Sequence, residues 1–137
     1  MSRDLLARRL MFVGGLVTVV FGAWHAVVPW LYHWFAYIPE APKELVAAIV
    51  ATNFFLAVAL VVLGVQAMYV AARHWHQRET VGVVLWCLTP IWLIRTGYQI
   101  LLPQGTAIPG LAAAMTVVFA LTTLCFIVPL AVMRRGR

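Results

Sequence analysis

The chain has 137 residues, of which 64% are hydrophobic and 10% charged, with a mean hydropathy of +0.96; soluble domains carry roughly a quarter of their residues as charges. That balance excludes a soluble globular protein and leaves room for one domain, 1–137. The formal charge of +6 does not signal nucleic acid, because the ten Lys and Arg form no stripe among stacking aromatics.

The first predicted span covers residues 10–32 and follows Arg3, Arg8 and Arg9. It meets the roughly 20 apolar residues that a bilayer-crossing helix needs. It is longer than the roughly 7–15-residue apolar core of a signal peptide, and bulky aromatics from Trp30 to Phe35 stand where a small-residue cleavage site would be. The segment is therefore expected to stay as a helix. Pro29 lacks an N–H and so frees the carbonyl of His25 four residues earlier. Trp30, Tyr32, Trp34, Phe35 and Tyr37 form an aromatic belt that continues into the predicted loop 33–44.

The second span, 45–71, contains no Asp, Glu, Lys, Arg or His, and Asn53 stands out in it. Tyr69 and Trp75 are expected as interfacial anchors at its far end. The third span, 81–102, contains one charged residue, Arg95, accompanied by Trp92, Tyr98 and Gln99; Pro90 frees the carbonyl of Trp86. A polar break with Pro103, Gly105, Pro109 and Gly110 leads to the fourth span, 110–133. Gly14, Gly15, Gly22, Ala47, Ala51, Gly64 and the Ala112–Ala114 run are the small residues through which membrane helices approach one another. The expected fold is an all-α integral membrane four-helix bundle.

Lys and Arg near helix ends resist translocation. Arg3, Arg8, Arg9, Arg73, Arg78, Arg134, Arg135 and Arg137 fall on one side and Lys43 alone on the other, which places both termini in the cytoplasm of a bacterial inner membrane.

Neither cysteines nor histidines offer a complete site. Cys87 and Cys125 form no C-x-x-C pair and are expected to be inert apolar side chains, unlike the dithiols of the vitamin K epoxide reductase family. His74 and His76 alone leave a metal's coordination sphere mostly unfilled, so no metal site is expected. A haem would need a second axial ligand for His25 from a Met or another chain. No cofactor is therefore assigned, with haem and quinone left as the candidates.

A rise of 1.5 Å per residue puts His25, Asn53 and Arg95 each roughly 10–12 Å below the outer ends of their helices, in one layer. Gln99 lies one turn above Arg95 on the same face, Trp92 three residues below it, and Tyr98 beside it. An arginine in a span costs about 2.5–3.5 kcal/mol on insertion scales. Either Arg95 snorkels to lipid phosphate, or it faces inward onto His25, Asn53, a backbone carbonyl or a ligand. No Asp or Glu occurs in any span to pair with it, which also sets the chain apart from small multidrug antiporters and sterol-isomerase-like proteins.

Gly22-Ala-Trp-His25 followed by Pro29, a polar residue leading an Ala/Leu-rich run to Gly64, and Trp92 through Gln99 with Pro103 together resemble the small bacterial four-helix membrane proteins of the DoxX-like superfamily. The resemblance implies an inner-membrane bundle, in some members an accessory to redox or sulfur metabolism, and carries over no catalytic residue. Two function classes follow. The leading expectation is a non-catalytic accessory subunit that packs against a larger membrane complex or a second copy of itself, with the bilayer as its other partner. The alternative is a binding protein or enzyme for a quinone- or isoprenoid-type molecule. Arg95, His25, Asn53, Gln99 and Tyr98 would hold its head, and Trp24, Trp30 and Trp92 its apolar part.

Overall fold

A computed structural model describes residues 2–135. These form four helices, α1 (Arg3–Leu31), α2 (Lys43–Arg73), α3 (Arg78–Leu101) and α4 (Leu111–Arg135), with a single 3-10 turn (Trp34–Tyr37) between α1 and α2 and no strand among the described residues. All four are long and apolar enough to cross a membrane. Of the eight arginines assigned to one end, Arg137 lies outside the described residues.

A helix covers each of the four expected spans, and every helix extends beyond its span at one end or both. The clearest extension is at α1, which begins at Arg3 rather than near residue 10. The Ser2 hydroxyl accepts the Leu5 N–H at 3.2 Å, and Asp4 lies in the positive first turn. The helix starts where it is capped, several residues before its apolar stretch, so Arg8 and Arg9 ride on helix rather than on a tail.

The tightest contact is between α1 and α2. A β-carbon on Gly15 would sit 2.8 Å from the Gly64 carbonyl oxygen, one on Gly64 2.7 Å from the Gly15 oxygen, and one on Gly22 2.9 Å from the Ala57 oxygen. The two backbones therefore touch. Gly15 and Gly22 are one heptad apart, as are Ala57, Gly64 and Ala71, the repeat that keeps one stripe facing a partner along two wound helices. One heptad before Gly15, Arg8 closes the same seam: its Nε donates to Ala71 O and its Nη2 to Ala72 O, both at 2.8 Å. These carbonyls belong to the last turn of α2, which has no intrahelical donors left for them.

The opposite flank of α1 meets α4, where a β-carbon on Gly14 would lie 2.8 Å from the Phe126 ring and 2.9 Å from Cys125 Cβ. Polar cross-links fix α3 to both neighbours. The buried Trp92 Nε1 donates to Thr18 Oγ1 of α1 at 3.0 Å, and that hydroxyl donates onward to Gly14 O at 2.7 Å. Thr96 and Thr123 hydroxyls join α3 to α4 at 2.8 Å. Three seams, α1–α2, α1–α4 and α3–α4, are thus closed, while α2 and α3 touch little beyond their short connection.

Trp75 corrects an expectation. It is not an interfacial anchor but is 5% exposed, buried with Ala7, Met11 and Val81 at the arginine-rich end. The chain reverses direction between α2 and α3 at this point, and the turn carries the indole under the bundle. Its Nε1 finds no partner among the described residues.

Gly15→Ala or Gly64→Ala should lower stability by about 1–3 kcal/mol, the usual cost of overpacking. Gly97→Ala, where a β-carbon meets nothing within 4 Å, should be neutral or stabilising, because it removes a helical glycine. Thermal unfolding of the three variants in one mild detergent checks the contrast.

Candidate functional site

The site begins with the defect at Pro29. Without a proline N–H, the His25 carbonyl has lost its helical donor and needs another partner. Asn53 of α2 supplies the missing bond: its Nδ2 donates to His25 O at 2.6 Å. The other end of the same amide meets the imidazole, with Asn53 Oδ1 3.1 Å from His25 Nδ1.

These partners assign the tautomer. A carbonyl oxygen only accepts, so the Asn53 atom facing it is the nitrogen and the atom facing the ring is the oxygen. That oxygen also only accepts, so His25 Nδ1 carries the proton. In the neutral form of the ring this leaves the lone pair on Nε2, for which the described residues provide no partner. The imidazole edge also packs on Phe21, with ring centroids 4.8 Å apart.

Arg95 of α3 faces inward and does not extend along the helix exterior. Its guanidinium carbon lies 4.3 Å from the Phe119 ring centroid and 6.0 Å from that of Phe21, within cation–π range. Its Nη2 donates to Gln104 Oε1 at 2.7 Å and its Nη1 to Gln99 Oε1 at 3.5 Å. Gln99 is fully buried. Its amide donates to Gln104 O at 3.1 Å and to Ala112 O at 3.4 Å, tying α3 to the connecting loop and to α4. The loop can place Gln104 there because Gly105 turns at φ +82°, in the left-handed region.

Between α2 and α3 these groups border a cleft of about 270 Å3, open on one side. Phe21, His25 and Trp92 form its back, Leu56 and Leu60 its α2 wall, and Ile91, Arg95 and Tyr98 its α3 wall, with Gln104 at the rim. A second, shallower groove on the other side of His25 and Leu56 is bordered by Trp34, Thr52 and Asn53. A cleft that is mostly apolar with a few convergent polar groups is the usual form of a small-molecule site. This one offers a guanidinium as donor and an imidazole nitrogen as acceptor.

The structure brings His25, Trp92, Arg95 and Tyr98 to this cleft, and it sets Asn53 and Gln99 directly behind two of them. Arg95 does not pair with His25 or Asn53; its partners are Gln99 and Gln104. Trp24 and Trp30 do not line the cleft. Both are exposed, and Trp24 packs edge-on against Tyr32 at a centroid distance of 6.2 Å. Sequence reasoning missed Phe21, Gln104 and Phe119. Phe21 lies one helical turn before His25, a spacing that places the two rings together. Gln104 and Phe119 left no comparable local signal, since both reach Arg95 only through the turn between α3 and α4. Among the described residues no group of three or more His, Cys, Asp or Glu is placed to hold a metal.

Asn53→Ala should destabilise the protein by about 1–3 kcal/mol, the cost of orphaning a buried acceptor. In a Pro29→Ala background the restored N–H supplies that acceptor, so the same substitution should cost clearly less. A double-mutant cycle on thermal unfolding measures the coupling, and strictly additive losses would contradict the assignment. No family model, curated protein or solved structure matches this chain.

Proposed function

We propose that the protein is a multi-pass membrane protein that binds the polar head of a lipophilic molecule, of quinone or isoprenoid type, in the cleft between α2 and α3. The observation that carries this reading is Arg95. Its half-buried guanidinium rests on the Phe119 ring with only two amide oxygens as hydrogen-bond partners, although it has five N–H donors. A head group with a carbonyl or anionic oxygen would complete its hydrogen bonding, and His25 Nε2 would accept from a hydroxyl on the same molecule. Leu56, Leu60, Ile91 and Trp92 would take the apolar portion. The reading is one of binding and orientation and assigns no bond-making step.

The charge asymmetry supports a topology with the arginine-rich end in the cytoplasm of a bacterial inner membrane, which sets the cleft in the outer-leaflet half. The proposed kinship with DoxX-like bundles rests on the three segments that contribute His25, Asn53 and Trp92 through Gln99. The competing reading, a non-catalytic subunit of a larger complex, draws on α2, the helix that its neighbours cover least.

Solvent extraction and mass spectrometry of protein purified in mild detergent test the proposal. Wild-type protein should retain a prenyl-type lipid that falls by about tenfold or more in Arg95→Ala, since hydrogen bonds to a charged group contribute about 1.5–3 kcal/mol. His25→Ala should give a smaller loss. Retained lipids that do not change in Arg95→Ala would sink the binding reading, and a stoichiometric co-purifying chain would favour the subunit reading.

A further inference from the structure

At the arginine-rich end, a further groove of about 280 Å3 lies between the first turns of α3 and the last turns of α4. Its floor is Gly82, its walls are Trp86, Leu130 and Met133, and its rim carries Arg78, Glu79 and Arg134. The glycine sets it apart from the helix seams. Gly14, Gly15, Gly22 and Gly64 each avoid a clash below 3 Å, whereas a β-carbon on Gly82 would meet only Met133 Cε at 4.0 Å. Helix packing therefore does not require Gly82, and its missing side chain deepens a space that the fold leaves unfilled.

The rim is electrostatically selective. Arg134 stacks on Trp86, with its guanidinium carbon 4.8 Å from the ring centroid, and makes no ion pair among the described residues. Arg78 is oriented from the other side by Asp4, at 3.1 Å, and by the Trp75 ring, at 5.9 Å. Two guanidinia thus flank an apolar channel at the arginine-rich end of the bundle. Basic pockets between membrane helices match the headgroups of anionic lipids in charge and height.

We propose that this groove seats one anionic phospholipid, with its phosphate between Arg134 and Arg78 and an acyl chain running over Gly82 along Trp86, Leu130 and Met133. The site is separate from the α2–α3 cleft and does not depend on it. Glu79 on the rim would accept from headgroup hydroxyls, and the preference for an anionic head rests on the two guanidinia.

The test is native mass spectrometry of the intact protein released from bilayers of equal phosphatidylglycerol and phosphatidylcholine. Wild type should carry one bound phosphatidylglycerol with about tenfold preference over phosphatidylcholine. Gly82→Leu fills the channel without changing charge, and the Arg78→Ala/Arg134→Ala pair removes charge without filling it; both should abolish the preference. Leu130→Trp fills the channel from α4 and serves if Gly82→Leu unfolds, as judged by circular dichroism and thermal unfolding. Equal retention of the two lipids by wild type would overturn the proposal. So would a folded channel-filling variant that keeps the preference, because diffuse surface charge would then explain it, or an arginine pair variant that keeps it.

Discussion

Backbone contact between α1 and α2 is the constraint from which the rest of the arrangement follows. Lipid is as apolar as leucine, so no hydrophobic force draws two membrane helices together; they close only where small residues let backbones meet or where polar groups pair. Gly15, Gly22, Ala57 and Gly64 meet the first condition, and the Thr18–Trp92 and Thr96–Thr123 bonds meet the second. Between α2 and α3 neither condition holds, because Leu56, Leu60 and Ile91 face the gap with bulky side chains. The seam therefore stays open, and the cleft lies there, away from the short loop that ties the two helices at the other end.

An arginine beside such an opening needs support that lipid cannot give. The apolar stretches 10–32, 45–71, 81–102 and 110–133 contain no carboxylate, and the guanidinium is held by ring faces and amide oxygens. Gln99 is central to this support. Both of its amide N–H groups go to backbone carbonyls, one in the loop and one in α4, which fixes its oxygen toward Arg95. Groups locked by their own hydrogen bonds hold a binding residue in one geometry before any ligand arrives. The remaining donors of Arg95 are thus already placed at the cleft edge, with little rotamer freedom left for binding to remove.

The four helices were legible in the sequence because hydropathy over 20 residues is a strong and local signal. The spacing also put His25 at a height comparable with Asn53, to which it is hydrogen-bonded, and with Arg95, with which it lines one cleft. Rotation about each helix axis was not legible, because pairing between helices decides it. Trp24 lies at the height of His25 and Trp30 five residues beyond it, yet both are exposed and point away from the cleft, whereas Phe21, one turn from His25, points into it. Arg8 was legible only as a topogenic charge. Its two bonds to Ala71 and Ala72 require knowing that α1 and α2 run antiparallel in a heptad register. Trp75 was misread because composition places an indole near an interface without saying on which side of a turn it falls.

Pro29, His25 and Asn53 show why structural and functional roles merge in a bundle this small. A proline in a membrane helix is tolerated only if another group satisfies the carbonyl it frees. Asn53 does so with its nitrogen, and the rigid amide then has no choice but to turn its oxygen to the imidazole. The helix repair therefore sets which ring nitrogen holds the proton and leaves Nε2 as an acceptor on a ring that lines the cleft. An aspartate at position 53 would accept from the ring but would have no donor for the carbonyl. A leucine would satisfy neither. Among polar side chains that short, asparagine alone offers a donor and an acceptor at fixed separation, so the residue that keeps α1 intact is also the one that prepares His25 for a ligand.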